Sequence, residues 1–368
     1  MAPGSGISLG RVLGVPVRLA PSWFVVALVV VVVFAPSVEQ STGLRAPATW
    51  VVAALFAVLL LLSVLLHEVA HAATARALGL PVSEIVANLW GGHTQFSDES
   101  PTPGGTALVA VTGPLANGAL AVASWAGLTV VHGDVAQVLL VALMLTNAFV
   151  ALFNLVPGLP LDGGRVLEAG VWAVTGDRSK GTLVAGWSGR IVAVVLLLWW
   201  VGWPLVQGRQ PDLTSLVWSV MIAALLWQGA TAAIGVARLR RSAARVQLAD
   251  VVRPALGVPA DDLAWLDLPD DDPRALVALG PDGPEGILEA HARRSLHGTG
   301  RPPAGTPLHA VITVLDPVVV VPAAATGNDL LTVLATRPAR HYLVVDATGR
   351  VVGVVDGQSL AEALTARS

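Results

Sequence analysis

The sequence contains no cysteine, and only 13% of its 368 residues are charged. Without cysteine the chain forms no disulfide and offers no thiolate to a metal, so a metal ion would depend on His, Asp or Glu. A formal net charge of -3 gives no information about nucleic acid, and we expect no nucleic-acid partner. Apolar residues make up 54% of the chain and raise the mean hydropathy to +0.70. This composition is typical of a membrane protein.

Six apolar runs are candidates for crossing a bilayer. They predict transmembrane helices at residues 23–34 (with an extension to 38), 48–78, 106–131, 135–156, 187–206 and 213–237. Short stretches broken by glycine and proline, at 6–20 and 83–90, predict strands that lie against the membrane surface. The predicted fold is therefore a polytopic α-helical membrane protein with six transmembrane helices and a small membrane-associated β element.

Basic residues are distributed unequally between the two sides of these spans. The loops after the first, third and fifth spans contain only Arg45 and Arg209. The opposite side collects Arg11, Arg18, Arg76, Arg165, Arg178, Lys180, Arg190, Arg238, Arg240, Arg241 and Arg245. Because cytoplasmic segments carry the excess of Lys and Arg, this asymmetry predicts a multi-pass protein of the cell membrane with both termini in the cytoplasm.

The character of the chain changes after residue 245. Asp, Pro and Arg become frequent, and no later apolar run is long enough to span a bilayer. Strand-like runs at 342–346 and 351–355 are followed by a helical pattern at 360–365, and a weaker copy of this arrangement occupies 248–295. These patterns predict two domains, a membrane domain at 1–245 and a soluble, duplicated α/β module at 246–368.

The chemistry of the chain centres on the stretch His67-Glu68-Val69-Ala70-His71, which lies inside the second apolar run. Residues four apart on a helix project from the same face, so His67 and His71 are placed to hold one tetrahedral Zn²⁺ per chain. Glu68 is placed to act as a general base on water. A five-residue match of this kind also occurs by chance, but ionisable groups within a membrane span indicate function.

A catalytic zinc ion needs a third protein ligand. Asp162 is favoured because Pro157 and Pro160 cannot continue a helix, and an unwound segment at membrane depth indicates a buried or wet site. The alternative is that Asp162 caps a helix that begins at Gly163. The other acidic or histidine candidates are Glu84, His93, Asp98, Glu99, His132 and Glu168.

Three asparagines lie in or near the third and fourth spans. Asn154 is a candidate donor to the oxyanion that develops during peptide hydrolysis, and packing between helices is an equally good interpretation. For Asn117 and Asn147, which also occur in apolar runs, helix–helix packing is the favoured interpretation.

In this order, the motifs resemble those of the site-2 protease family of intramembrane zinc metalloproteases. The similar segments are the His67 to His71 motif, Gly113-Pro114-Leu115-Ala116-Asn117, and the stretch from Asn154 to Arg165 that contains Pro-Leu-Asp-Gly-Gly-Arg. The order and spacing of these motifs agree with the family across residues 6–245.

The resemblance implies a division of roles among five residues. His67, His71 and Asp162 would hold zinc, Glu68 would activate the water, and Asn154 would act near the scissile bond. It also implies that the substrates are membrane-embedded helices of regulatory proteins, of the anti-sigma or pro-sigma factor type.

The tail resembles a pair of CBS modules, the small domains first named from cystathionine β-synthase. Many such modules bind adenosine nucleotides through a hydroxyl and a carboxylate just after a glycine-containing strand. Here those places hold Asp356 and Ser359 in the second copy, and Glu289 and Ala292 in the first. The ribose-binding carboxylate is missing from both copies, which argues against nucleotide binding.

The sequence therefore predicts an intramembrane zinc endopeptidase whose partners are the lipid bilayer and a transmembrane protein substrate. One alternative is a transporter or channel with a CBS tail, which explains the spans but not Glu68 beside a ligand. A second alternative is a noncatalytic membrane scaffold. The sequence leaves open whether the chain forms a homo-oligomer.

Overall fold

The computed structural model describes residues 6–88, 91–96, 102–210, 212–244, 248–269, 271–298, 306–315 and 317–365. The chain forms two compact units, Met1–Gly235 and Val236–Ser368. The predicted domain boundary between residues 245 and 246 lies outside the described residues and stays a prediction.

Eight helices occur in the described residues between 6 and 244. They are α1 (Trp23–Thr42), α2 (Ala48–Ala77), α3 (Pro103–Gly127), α4 (Asp134–Asn154), α5 (Asp162–Thr175), α6 (Arg178–Leu197), α7 (Trp203–Val206) and α8 (Leu213–Ala243). A π-helical turn at Leu198–Gly202 joins α6 to α7. Counted with that continuation, six helices are long and apolar enough to cross a membrane, which confirms the six predicted spans. Their outward faces carry exposed Phe24, Leu28 and Val32 and similar residues, as contact with lipid requires.

The helix ends differ from the prediction where polar residues extend an apolar run. The fifth span begins at Arg178 rather than at residue 187, because the Asp177 side chain accepts a hydrogen bond from the Lys180 backbone N–H at 3.2 Å and starts the helix in a polar segment. In the same way α8 continues through Arg240 and Arg241, past the predicted end at residue 237. Hydropathy therefore locates the membrane-crossing part of each helix rather than its ends.

The short helix α5 lies between the fourth and fifth spans and does not belong to the six candidates. It has 14 residues and ends at Gly176, whose φ of 68° is the left-handed conformation that terminates helices. Its first residue is Asp162, so the helix serves to place that carboxylate.

A four-stranded sheet covers one end of α2. Its order is β1 (Ile7–Val12), β2 (Val15–Leu19), β3 (Val82–Asn88) and β4 (Gly91–Phe96), with β2 and β3 parallel and the outer pairs antiparallel. The turn between β1 and β2 has positive φ at both Leu13 and Gly14, as a two-residue hairpin turn requires. The inner face packs Val17 and Ile85 against Ala72, the residue after His71, so the predicted β element supports the metal motif directly.

The second unit contains a seven-stranded sheet in the order β8-β7-β6-β5-β11-β10-β9. Its elements are β5 (Arg253–Pro259), β6 (Ala275–Gly280), β7 (Gly283–Leu288), α9 (Ala290–Gly298), β8 (Thr313–Val314), β9 (Val319–Pro322), α10 (Gly327–Thr336), β10 (His341–Val345), β11 (Val351–Asp356) and α11 (Gly357–Thr365). In each half a parallel strand pair is followed by an antiparallel hairpin and a helix, and β5 pairs with β11 to join the halves. This arrangement confirms the predicted duplication and the α/β fold of the tail.

Candidate metal centre and active site

Two histidines on α2 form the centre of the site. His67 and His71 are both buried, and their Nε2 atoms lie 3.1 Å apart. Their rings are nearly perpendicular, with an interplanar angle of 85°, so the two Nε2 atoms approach one common point from different directions. The structure therefore places both imidazoles on one face of α2, as their four-residue spacing predicts.

Asp162 completes a cluster with the two histidines, here called the His–His–Asp cluster. Its Oδ2 atom lies 3.2 Å from Nε2 of His67 and 3.4 Å from Nε2 of His71. Ligands about 2.0–2.1 Å from a tetrahedral zinc ion lie about 3.3–3.4 Å from one another. The three observed separations thus match one face of such a tetrahedron, and the donor set fits zinc.

The hydrogen bonds behind the two rings determine which nitrogen atoms carry protons. Nδ1 of His67 faces Oδ1 of Asn117 at 2.5 Å, and Nδ1 of His71 faces the carbonyl oxygen of Val109 at 2.7 Å. Because both partners accept, each Nδ1 donates to its partner and each ring directs its Nε2 atom at the cluster. Two imidazole nitrogens and a carboxylate oxygen therefore converge on one point, which is the donor set that a zinc ion takes.

Asn117 belongs to a line of buried side chains, here called the asparagine relay, which consists of Asn117, Asn147 and Ser63. The Nδ2 atom of Asn117 donates to Oδ1 of Asn147 at 2.7 Å. Asn147 in turn donates to Oγ of Ser63 at 3.2 Å and to the carbonyl oxygen of Leu143 at 2.9 Å. The relay connects α3, α4 and α2, and it orients the Asn117 amide so that its oxygen faces His67. The packing role expected for Asn117 and Asn147 is thus combined with support of a histidine.

Gly113 brings α3 close enough for this contact. A Cβ atom at this position would lie 2.6 Å from the Nε2 atom of His67 and closer still to His71. Any side chain at residue 113 would therefore displace the imidazoles. Gly113 and Asn117 are about one helical turn apart and lie on the same face of α3. Gly113 leaves space for the two imidazole rings, and Asn117 accepts a hydrogen bond from His67.

Residues 157–161 bring Asp162 to the histidines by leaving the helical conformation. The Leu159 backbone N–H donates to the Ala185 carbonyl of α6 at 3.0 Å, and the Ser188 hydroxyl donates to the Pro157 carbonyl. Gly158 packs directly against Gly189, where a Cβ on Gly158 would lie 2.7 Å from the Gly189 Cα atom. The polar backbone of this segment is thereby satisfied inside the protein, as an unwound segment between membrane helices requires.

The alternative role of Asp162 as a helix cap does not fit the structure. The N-cap residue of α5 is Leu161, and no side-chain hydrogen bond caps the helix. The carboxylate of Asp162 points to His67 and His71 instead.

Glu68 and Asn154 line the same cavity as the His–His–Asp cluster. The cavity has a volume of about 1020 Å³ and lies among α2, α3, α4, α8 and the 157–161 segment. Glu68 is buried, with 5% of its surface exposed, whereas Asn154 is half-buried at the last position of α4. The structure therefore brings together all five residues that the sequence selected.

The other candidate ligands lie elsewhere or outside the described residues. Glu84 pairs with Arg18 at 3.1 Å, and Glu168 accepts hydrogen bonds from Arg178 at 2.9 Å and Thr182 at 3.1 Å. His132 lies in the loop between α3 and α4. Asp98 and Glu99 are outside the described residues, as is the side chain of His93.

Sequence reasoning did not find Ser63 or the link from Asn117 to His67. The available signal was a serine and two asparagines in otherwise apolar spans, where unsatisfied polar groups are costly and should face the interior. The pairing itself joins residues 50 positions apart, and the local pattern contains no information about such a contact.

Comparison with known proteins agrees with this site. The model of peptidase family M50 matches residues 55–138 and 130–198, which include the His67 to His71 motif and Asp162. The candidate zinc metalloprotease sll0528 of Synechocystis sp. is 26% identical over 98% of this chain and 96% of its own length. Rip3 of Mycobacterium tuberculosis, also a candidate zinc metalloprotease, is 37% identical over 52% of this chain, and the chain spans about half, 50%, of Rip3.

Solved structures resemble parts of the chain. The site-2 protease from Methanocaldococcus jannaschii has a TM-score of 0.43 at 23% identity, covering 62% of this chain and 95% of its own. The CBS domain of a bacterial CNNM/CorC family Mg²⁺ transporter in complex with ATP has a TM-score of 0.24 at 17% identity, covering 36% of this chain and 97% of its own.

The matched motifs and the relative that extends over nearly the whole sequence define a multi-pass membrane metalloprotease. Residues 55–198 match the model of peptidase family M50, and the chain is a zinc metalloendopeptidase of the site-2 protease type.

Proposed function

We propose that the chain is an intramembrane endopeptidase that cleaves transmembrane segments of regulatory membrane proteins, of the anti-sigma or pro-sigma factor type. His67, His71 and Asp162 would hold the zinc ion, with Glu68 as general base and Asn154 as oxyanion donor. One observation carries the proposal: three potential metal-ligand atoms within 3.4 Å of one another line a cavity among the apolar helices together with Glu68.

Zinc, when bound, supplies a Lewis acid to the scissile carbonyl and to the attacking water. The Glu68 carboxylate accepts the proton of that water during attack and returns it to the departing amine. Asn154 donates its amide N–H to the carbonyl oxygen as negative charge develops there. The asparagine relay keeps the His67 ring fixed while these charges change.

The character of the cavity supports a peptide substrate from the membrane. Its walls are largely apolar, from Leu60, Val64, Phe149 and Leu226 among others. Because the carbonyls of an α-helix are hydrogen-bonded within the helix, a substrate span has to unwind locally to present one peptide bond.

The orientation with both termini in the cytoplasm belongs to the same proposal. Arg165 and Arg178 line the cavity and stand on the side that collects the basic residues of the sequence. That side is cytoplasmic by the distribution of Lys and Arg, so water would enter from the cytoplasm.

The tail is proposed to modulate access to the cavity with weak nucleotide affinity. In the first CBS copy, Glu289 lies 3.7 Å from Arg253 and 3.6 Å from His341. In the second copy, Asp356 accepts hydrogen bonds from the backbone N–H groups of Gln358 and Ser359, each at 3.0 Å. These contacts also hold the pKa of Asp356 below its usual range, against the opposing effect of burial. Both acidic groups are therefore engaged inside the protein rather than offered to a ribose.

The test is the substitution Glu68→Gln in the full chain, with Glu39→Gln as the matched control. Glu39 is exposed near the end of α1, away from the cavity. We expect Glu68→Gln to retain zinc and to lose about 10²–10⁴-fold in cleavage of a co-expressed transmembrane substrate, as removal of a general base does. Turnover near that of the control would refute the mechanism. Absence of bound zinc in the unmodified chain would favour the noncatalytic scaffold. Ion transport that persists in Glu68→Gln, with no cleavage by the unmodified chain, would favour the transporter.

A further inference from the structure

An arginine in the fifth span lies between two tryptophans from different helices. The guanidinium carbon of Arg190, on α6, is 4.7 Å from the ring centre of Trp187 and 4.9 Å from that of Trp227, on α8. Both distances are within the range of cation–π attraction. The arrangement thus links two spans through one positive charge.

The polar contacts of this arginine are few. Its Nη2 atom donates to Oγ1 of Thr231 at 3.0 Å, and its buried Nε has no hydrogen-bond partner. Among the described residues, no carboxylate lies within 4.0 Å of the Arg190 guanidinium.

Arg178 on the same helix provides the comparison. It also lies over a tryptophan, Trp172, at 5.2 Å, but its Nε is 2.9 Å from the Glu168 carboxylate. A charge near the hydrocarbon core is costly without a partner of opposite sign. Among the described residues, Arg190 therefore lacks the neighbouring carboxylate that balances the charge of Arg178.

The position of Arg190 along α6 corresponds to the edge of the hydrocarbon. Residues 191–206 contain no charged side chain. These sixteen residues span about 24 Å at 1.5 Å per residue, compared with about 30 Å for a bilayer core. Helical side chains point toward the helix N-terminus, so the guanidinium extends away from the apolar run. Trp187 and Trp227, which are 49% and 44% exposed, mark the level where interfacial tryptophans occur.

An apolar track leads from this arginine along the surface of α6. Ile191, Val194, Val195 and Leu198 follow at helical spacing and are 45–64% exposed. Residues three and four apart share one helix face, so the track lies directly beyond Trp187 and Arg190. The surface therefore combines a positive group at headgroup level with a face suited to an acyl chain.

We propose that the Arg190 guanidinium, held between its two tryptophans, binds the phosphate of an anionic phospholipid headgroup. Guanidinium groups form strong charge-assisted hydrogen bonds with phosphate oxygens. The indole N–H groups of Trp187 and Trp227 have no hydrogen-bond partner among the described residues and add two donors. In the orientation proposed above, the lipid belongs to the cytoplasmic leaflet.

The two helices that such a lipid would join also hold the segment before Asp162. On α6, Ser188 donates to the Pro157 carbonyl. On α8, a Cβ at Gly229 would lie 2.6 Å from the ring of Pro160, so helix and segment are in direct contact. A bound lipid therefore adds a connection between α6 and α8 beside this segment, and we expect it to raise the thermal stability of the full chain.

The experiment measures lipid-dependent thermal stability of the purified, delipidated full chain in detergent. Phosphatidylglycerol, phosphatidylcholine and inorganic phosphate are added separately, with the lipids at equal mole fraction. We expect phosphatidylglycerol to raise Tm more than phosphatidylcholine does, and inorganic phosphate to have no comparable effect. Equal effects of the two lipids would overturn the proposal, and equal stabilisation by inorganic phosphate would assign the site to a soluble anion instead.

Variants test whether Arg190 is responsible. Arg190→Gln should weaken the apparent affinity for phosphatidylglycerol about fivefold, the contribution of one interfacial basic residue. Arg209→Gln, outside the spans, and Trp199→Leu, in a tryptophan pair without arginine, should leave it unchanged. Unchanged affinity in Arg190→Gln would refute the assignment. If that variant does not fold, Arg190→Lys must retain the preference for phosphatidylglycerol over phosphatidylcholine, and loss of that preference would refute it as well.

Discussion

Replacing Asn117 with alanine removes the hydrogen bond that orients the His67 ring. The bond is 2.5 Å long, and Asn117 is 2% exposed, so water cannot readily replace the lost oxygen. A buried donor without a partner costs about 1–3 kcal/mol, which corresponds to about 5- to 150-fold in an equilibrium constant. Loss of a hydrogen-bond partner behind a metal-binding histidine typically weakens metal affinity about 10–100-fold. We therefore expect Asn117→Ala to bind zinc about 10–100-fold more weakly than the unmodified chain.

The assay is competition for zinc with a chromophoric chelator, using the full chain in detergent at fixed pH. Asn154→Ala is the matched control, because Asn154 lines the same cavity but makes no hydrogen bond to a cluster residue. It should lose turnover and retain zinc affinity. Asn117→Asp keeps an acceptor for Nδ1 of His67 and should retain most of the zinc affinity.

Zinc affinity of Asn117→Ala within twofold of the unmodified chain would refute the reasoning about the relay. The Asn117→Asp variant separates this outcome from a folding defect. If Asn117→Ala and Asn117→Asp lost zinc equally while remaining folded, the hydrogen bond accepted from His67 would not determine zinc affinity.

Three further outcomes are expected. Asp162→Ala should lower zinc occupancy as well as activity, and full zinc retention measured by metal analysis would exclude Asp162 as a ligand. Because the chain has no cysteine, cysteines introduced at Lys180 and Asp212 can be labelled selectively, and they should react from opposite sides of the membrane. Calorimetry on the full chain should show no ATP or AMP binding of micromolar or tighter affinity, and such binding would show that other groups replace the missing ribose carboxylate.

The spans and the metal motif could be predicted from sequence because both depend on local periodicity. Apolar length identified all six membrane helices, and the four-residue spacing of His67 and His71 placed them on one face. The duplicated tail was predictable for a similar reason, since its strand pairs and turns recur in the same order. The predicted starts and ends were less accurate where capping residues such as Asp177 extend a helix beyond its apolar part.

Contacts between distant segments could not be predicted in the same way. Asp162 and Glu168 were both acidic candidates close to one another in sequence, yet one approaches the histidines and the other pairs with Arg178. The two carboxylates point in different directions because they lie on different faces of α5. The orientation of α5 depends on the path that residues 157–161 take after α4, and local sequence patterns do not determine that path.

The segment that positions Asp162 shows why a functional site departs from local helix rules. Proline and glycine would weaken an ordinary helix, but here they allow the chain to leave α4 and approach α6 at backbone distance. Gly158 and Gly189 are in backbone contact, and a side chain on either residue would displace the backbone of the opposing segment. The position of the carboxylate therefore depends on α6 and α8, although neither helix contributes a residue to the His–His–Asp cluster. The proposed lipid contact at Arg190 therefore also affects the stability of the metal centre. Any group that holds α6 against α8 restrains residues 157–161, and these residues position Asp162.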